Sequence, residues 1–365
     1  METPVRPAPD RAGAIALARG HWLHGTQGRH APPIEPWITR SWQRCLAAGR
    51  QPGERVQFEP VSAPRLRQAT EGSRRLIEAA RPVMDRLSRA IAATRYFALL
   101  TDAQGMVLEV GTLPAQDERA IADIARVGVD LSERAVGTTA IGAALAEQAP
   151  VWLHRGEHFF DDTSVYTCAG APLFDPQGRC IGMLDLTGVQ VDERPELQHL
   201  ARHAVQAIGN RLLRAQPHAL LLQLNWPGCL APVEGADGDG LLVLDADGRI
   251  TGANALARQL LGLQGTGPWP ADEVFAAPAH LLFDAATRGR APLEVPLWSG
   301  LRTQVRATRS GSASPRAAAR PRLKEAQDAW IRQAVDDAQG NVAEAARLLG
   351  VSRATVYRKL GRRGG

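Results

Sequence analysis

The chain has 365 residues, 44% of them hydrophobic, and 43 Lys/Arg against 38 Asp/Glu give a formal charge of +5. That length suits two or three domains with cores of their own. No run comes near the roughly 20 apolar residues of a membrane span, and METPVRPAPDRAG has no apolar stretch ahead of a cleavage site, so neither membrane insertion nor secretion is expected. Cys45, Cys168, Cys180 and Cys229 form no CxxC pair and no metal-ligand spacing, which fits a reducing cytoplasm.

Residues 1–60 are rich in Pro and Arg, with one predicted helix carrying Ile38, Trp42, Cys45 and Leu46. Helix is predicted over most of Ala63 to Thr94. There Leu76, Ala79, Ala80, Met84, Leu87 and Ile91 recur at threes and fours, and Pro82 is expected to kink the axis. Such a helix serves equally as a dimer seam or as the first helix of a domain. At Phe97 the period changes. FALLTDAQGMVLEV reads as strand, tight turn, strand, and the pattern returns in APLFDPQGRCIGMLDL (171–186) and GLLVLDADGRITGAN (240–254). Asp at the first turn position and Gly at the last suit such a turn. Between the first two hairpins, Ser132 is expected to cap a helix running to about Glu147. Val191 to Leu213 reads as an amphipathic helix, with Leu197, Leu200, Ala204, Ile208 and Leu212 on one side. A helix of this kind commonly pairs across a dimer. The third hairpin leads into a predicted helix from Ala255 to Leu261, and Arg309 to Arg322 has the Ser/Ala/Pro/Arg composition of a linker.

The C-terminal stretch from Asn341 to Leu360, NVAEAARLLGVSRATVYRKL, is the most informative. Asn341 suits a helix cap, with Glu344 three residues on to reach back. Val342, Ala345, Ala346 and Leu349 share a face, and Gly350 stands where a helix ends left-handed. Ser352 caps a second predicted helix, with Val356 and Leu360 inward and Thr355, Arg358 and Arg362 outward. A preceding helix, Leu323 to Ala338, supplies Ala326, Trp330, Ala334 and Val335 as a third wall. Two short helices about a glycine turn make a helix-turn-helix, whose second helix lies in the major groove. Charge agrees: from Arg316 onward there are eleven Lys/Arg and five Asp/Glu, so the tail carries +6 and the remainder −1. Cationic side chains that neutralise phosphates supply much of DNA affinity. The candidate DNA contacts are Ser352, Arg353, Ala354, Thr355, Tyr357, Arg358, Lys359 and Arg362, with Arg353 best placed for a guanine and Lys359 and Arg362 for phosphates.

Other motifs argue against chemistry. His154-Arg-Gly-Glu157-His158 spells HxxEH, but zinc hydrolysis needs those residues on one helix face. Here a strand-like VWL precedes and Gly156 interrupts. His199 and His203, four apart, suit a solvated helix face better than a metal site. Gly137 to Gly142 has the glycine spacing of a phosphate loop but continues with Ala143. The chain's two lysines, Lys324 and Lys359, do not follow a glycine, so no Walker A loop is possible.

Two resemblances gather these readings. AARLLG followed by SRATVYRKL resembles the Fis-type helix-turn-helix over Trp330 to Leu360. GVDLSERAVGTTAIGAAL, VWLHRGEHFF and TCAGAPLFDPQGRCIGMLDLTG, with ITRSWQRCLAAG ahead of them, resemble bacterial activators of the acetoin-catabolism type and their GAF domain. Where that group more often reads GTNAIG, this chain has Thr139 in place of the asparagine. LLVLDADGRITGAN resembles the start of a PAS domain, with a remainder short for a full PAS sheet. The resemblance implies an α+β multidomain chain: an N-terminal helical segment (1–60), a GAF sensory domain with flanking helices (61–216), a PAS-like module (217–305), a linker (306–322) and a three-helix Fis-type helix-turn-helix (323–365). It implies a cytoplasmic, sequence-specific transcription regulator; such activators usually carry a central AAA+ ATPase, which this chain, having no Walker A loop, is expected to lack, and no enzymatic activity, metal or cofactor is expected. Its partners would be a DNA operator, a small-molecule effector such as a carbonyl or hydroxy metabolite, a second copy in a homodimer, and RNA polymerase or an intact activator, with no membrane. GAF cavities hold ligands between sheet and covering helices, so the candidate ligand residues are Trp152, His154, His158, Phe159, Tyr166, Cys168 and Asp185. The alternative is a GAF-domain redox enzyme or thiol sensor using Cys168 and Cys180, with a weakly DNA-binding tail.

Overall fold

The structure, a computed structural model, describes residues 11–25, 34–115, 119–231, 237–288 and 291–310, and in the tail 335, 338, 341–348, 353 and 356. It divides into two compact units, Met1–Arg309 and Ser310–Gly365.

The first unit is α+β, with two antiparallel sheets. Strands β1 (Tyr96–Asp102), β2 (Val107–Val110), β3 (Val151–His154), β4 (Tyr166–Phe174) and β5 (Cys180–Val189) form the first, in the order β2-β1-β5-β4-β3. Successive side chains on a strand point to opposite faces. Tyr96, Ala98 and Leu100 therefore meet α4 (Arg74–Ile91) and α8 (Leu197–Arg214), while Phe97 and Leu99 meet α5 (Arg119–Ile124) and α7 (Ala140–Glu147). Both faces are covered, so β1 is buried along its whole length.

The six apolar positions expected on α4 are all buried against this sheet. The helix is thus the domain's own wall, and its face is not left over for a dimer seam. It runs through Pro82 as one helix, and the break falls at Ser73, after α3 (Ala63–Gly72). α8 likewise spends its apolar face on the sheet and on α4, and begins at Leu197 rather than at 191. Ser132 caps only a single turn, α6 (Glu133–Val136). Gly137 at φ +67° breaks the helix, and Thr139 caps α7 afresh by accepting from the Gly142 amide at 3.2 Å. Thr and Asn are both good caps, so the departure from GTNAIG keeps the helix start. The N-terminal segment holds two helices, not one: α1 (Arg11–Leu23) and α2 (Pro36–Ala47). Ala18, Ile38, Trp42 and Cys45 pack with Phe159 and Phe160.

Three hairpins share one local device. Asp102, Asp175 and Asp245 each use Oδ1 to accept from the amides two and four residues on, at 2.9–3.0 Å. Gly105, Gly178 and Gly248, at φ +87°, +85° and +78°, take the positive φ each turn needs.

The second sheet has six strands: β6 (Leu220–Asn225), β7 (Gly240–Leu244), β8 (Arg249–Ala253), β9 (Trp269–Pro270), β10 (Leu293–Pro296) and β11 (Arg302–Arg309), in the order β10-β11-β6-β7-β8-β9. The module expected to fall short of a full sheet completes itself with β6, which precedes the hairpin and pairs with both β7 and β11. β11 runs to Arg309, so the linker expected from residue 306 begins inside a strand. Helix α9 (Ala255–Leu261) has the expected bounds and is capped by Asn254. α10 (Ala271–Val274) and α11 (Ala279–Arg288) complete the module.

In the second unit, α12 (Val342–Leu348) is capped by Asn341 Oδ1, which accepts from the amides of Ala343 and Glu344. Glu344 pairs with Arg347 rather than reaching back to the cap. Ala346 and Val356 are buried together, with Val335 and Val342 against them. The predicted third wall is represented by Val335 alone; Ala326, Trp330 and Ala334 lie outside the described residues. No helix among the described residues is long and apolar enough to cross a membrane.

Candidate functional site

Four of the seven candidate ligand residues converge. His158, Tyr166, Cys168 and Asp185 line one small cavity between the first sheet and its α5/α7 cover, with Leu99, Val136, Thr139, Thr163 and Thr187 among the other walls. Strand register explains the set. Cys168 sits opposite Thr187 across the β4–β5 pair, and Asp185 lies two residues along β5 on the same face. The other three go elsewhere. On β3, Val151 and Leu153 face the cavity side, so Trp152 and His154 point the other way. Trp152 donates to Glu193, and His154 meets Thr167. Phe159 is buried under α2, stacked edge-on against Phe160. Thr187, Thr139 and Thr163 escaped the sequence reading, although Thr187 was within reach as the residue two beyond Asp185.

The polar groups form two hydrogen-bonded sets in contact with each other. A carbonyl cannot donate, so His158 Nδ1 carries the proton given to Arg155 O at 2.8 Å. Nε2 is then an acceptor, 3.7 Å from Cys168 Sγ, whose thiol donates to it. Cys168 Sγ lies 3.4 Å from Thr187 Oγ1, and the Thr187 hydroxyl donates to Asp185 Oδ2. Asp185 Oδ1 is buried and accepts no hydrogen bond.

Burial sets the protonation states. It pushes the Asp185 carboxyl up to about 7, against the opposing pull of the Thr187 hydroxyl and the Leu186 amide. It pulls His158 down to about 4, so the ring is neutral at pH 7. It also raises the Cys168 thiol well above its ordinary value, helped by Asp185 nearby. The thiolate is the reactive form, so this environment suppresses the thiol chemistry that the redox alternative needs. The HxxEH stretch is the end of a strand and one 3-10 turn, Arg155–Glu157, not a helix. His199 and His203 are exposed.

Size is the decisive property of the cavity. Its volume is about 20 Å³, and about 10–15 Å³ on this measure holds one water. A metabolite enters only if a wall moves.

Of the candidate DNA contacts, Arg353 is exposed and helical. Ser352, Ala354, Thr355, Tyr357, Arg358, Lys359 and Arg362 lie outside the described residues.

Comparison with known proteins adds an independent line. The family model for the MimR N-terminal domain matches residues 24–210, and the model for bacterial regulatory proteins of the Fis family matches 322–362. An acetoin catabolism regulatory protein of Cupriavidus necator is 32% identical over 257 residues, 68% of this chain and 37% of that protein. A propane 2-monooxygenase operon transcriptional activator, MimR of Mycolicibacterium goodii, is 30% identical over 211 residues, 57% of this chain and 34% of that protein. The chain thus spans little more than a third of the length of these relatives. Among solved structures, the E. coli DhaR(N)–DhaL complex aligns with 76% of this chain and 100% of its own, at 15% identity and a TM-score of 0.47.

Proposed function

Since the chain belongs to the MimR N-terminal-domain family, we propose that it is a sequence-specific transcription regulator in which the first sheet reads a small effector and the Fis-type tail reads DNA. On this reading the first sheet is a GAF sensory domain, the second a PAS-like relay, and the tail a three-helix reader that binds its operator as a homodimer in the cytoplasm. The observation that carries the proposal is the union, in one chain, of the matched N-terminal domain with a Fis-type match and a tail of charge +6. The second sheet runs to Arg309 and the Fis match begins at 322, which leaves no interval for a central ATPase. The chain acts on promoters without ATP hydrolysis, through RNA polymerase or an intact activator.

The effector is a small neutral molecule bearing a carbonyl or hydroxyl group. A carboxyl poised near pH 7 donates to a carbonyl when protonated and accepts from a hydroxyl when ionised, and Asp185 keeps Oδ1 free for either role. A relative named for acetoin catabolism makes acetoin the first probe. Selection of binding sites from random duplexes, with and without acetoin and related hydroxyketones, tests both halves. The expected result is an inverted repeat whose affinity shifts with the effector. Retention of no duplex over scrambled sequence at modest salt would overturn the regulator reading.

A further inference from the structure

The cavity has two kinds of wall. Leu99, Cys168, Asp185 and Thr187 stand on paired strands and are fixed by the ladder. Val136, Thr139, His158 and Thr163 stand on segments outside the sheet, around 133–141 and 155–165, and these are held from outside by α1 and α2.

The grip on the 155–161 loop comes mainly from Arg19, whose side chain is 12% exposed. Its guanidinium donates to the carbonyls of Gly156 at 2.9 Å, Phe159 at 3.2 Å and His158, and pairs with Asp161 at 2.6 Å. Three backbone carbonyls and a carboxylate converging on one side chain demand a planar fork of donors, which only arginine offers. Arg11 adds a two-pronged contact to Glu157 at 2.9 and 3.1 Å and a contact to Glu193. Helix α1 lies directly on the loop, since a Cβ at Gly156 would come within 3.1 Å of Ile15. From α2, Trp42 Nε1 donates to Glu157 O at 3.0 Å, and Ser41 bonds both Glu133 and Thr138 at 2.7 Å. Arg11 and Arg19 both precede residues 24–210, the region the family model matches.

We propose that α1 is a strap across the sensory cavity and that Arg19 is the positioning residue that keeps it shut. When Arg19 lets go, the loop carrying His158 swings off the sheet and opens a space otherwise too small for a metabolite. Its meaning as a gate for the effector rests on the sensory reading above; the opening itself does not.

Cys168 reports the opening, because it is buried in the cavity wall on a fixed strand. The full-length chain is labelled with N-ethylmaleimide, and each cysteine is followed by peptide mass spectrometry. Arg19→Ala is expected to raise the Cys168 rate at least tenfold and leave Cys180 and Cys229 within twofold of wild type, while Arg19→Lys, which keeps the charge but not the planar fork, gives an intermediate rate. Arg11→Ala, which loosens the same loop from an exposed site, is expected to give a smaller rise and covers the case in which Arg19→Ala does not fold. Val83→Ala weakens the helical layer on the opposite face of the sheet and is expected to leave Cys168 unchanged. A Cys168 rate within twofold of wild type in both arginine variants would sink the proposal, as would an equal rise in Val83→Ala, which would mark general unfolding. Neither DNA nor effector enters this assay, so its failure is separable from a failure of the regulator reading.

Discussion

Asp185 and His158 share one cavity but carry opposite pH dependences, and separating them tests the electrostatics of the site. Asp185 is pushed from an ordinary carboxyl value to about 7. Between about 4 and 7 the folded state therefore holds a proton that the unfolded chain has released. Stability contributed here falls as pH rises through that window, by about 1.4 kcal/mol per unit. His158 is pulled from about 6.5 to about 4. Over that interval the unfolded chain holds the extra proton, so stability rises with pH at about the same slope. The two slopes nearly cancel between about pH 4 and 6.5, and the wild-type cavity region should be flat there. Asp185→Asn mimics the protonated carboxyl. Relative to wild type it should gain about 3 kcal/mol on going from pH 4 to pH 7. His158→Gln should gain about 3 kcal/mol relative to wild type on going from pH 6.5 to pH 4. The assay is urea unfolding at each pH, read by pulsed hydrogen exchange at one fixed labelling pH on peptides spanning 166–189. A difference between Asp185→Asn and wild type that stays constant within 1 kcal/mol from pH 4 to pH 7 would refute the assignment of a raised carboxyl.

Asn254 is buried and makes four bonds. Oδ1 accepts from the Leu241 and Ala257 amides, and Nδ2 donates to Asn210 of α8 and to Asp239 O. Asn254→Ala should cost the second sheet about 3 kcal/mol in denaturant unfolding, and a loss under 1 kcal/mol would contradict this account of the junction. Val356 is fully buried against Ala346. Val356→Asp should abolish duplex binding in a gel-shift assay while leaving exchange protection of the two sheets unchanged. Arg353→Ala should remove about 1–3 kcal/mol of base discrimination at one position of the selected operator. Arg362→Ala should weaken all duplexes alike and flatten the salt dependence; unchanged preference in the Arg353 variant would transfer the readout to another residue.

What the sequence reveals and what it hides divide along one physical line. The three hairpins were legible because their determinants lie within four residues: one carboxylate oxygen collects two amides, and one glycine takes a positive φ. α9 was legible for the same reason, with Asn254 as its cap. Trp152 and His154 were misplaced because aromatic and imidazole side chains suggest a pocket by type, whereas strand alternation assigns the face. The single-turn α6 was hidden by Gly137, whose backbone break is invisible to apolar periodicity. The order of the second sheet was beyond reach, since β6 takes its place beside both β7 and β11 through pairings far apart in the chain.

α1 is the extreme case. Only Ile15 and Ala18 of its thirteen residues are buried, so its pattern barely registers as amphipathic. Its hold on the fold comes instead from Arg11 and Arg19, each reaching a loop about 140 positions away. Contacts of that span pay a loop-closure cost before they return anything, and they can be broken without unravelling a ladder. The sheet beneath has no such freedom, because each of its central strands is bonded on both sides. A sensor needs one wall that moves and one that does not. On the strap proposal, the moving wall of this chain is the part that only the three-dimensional arrangement discloses.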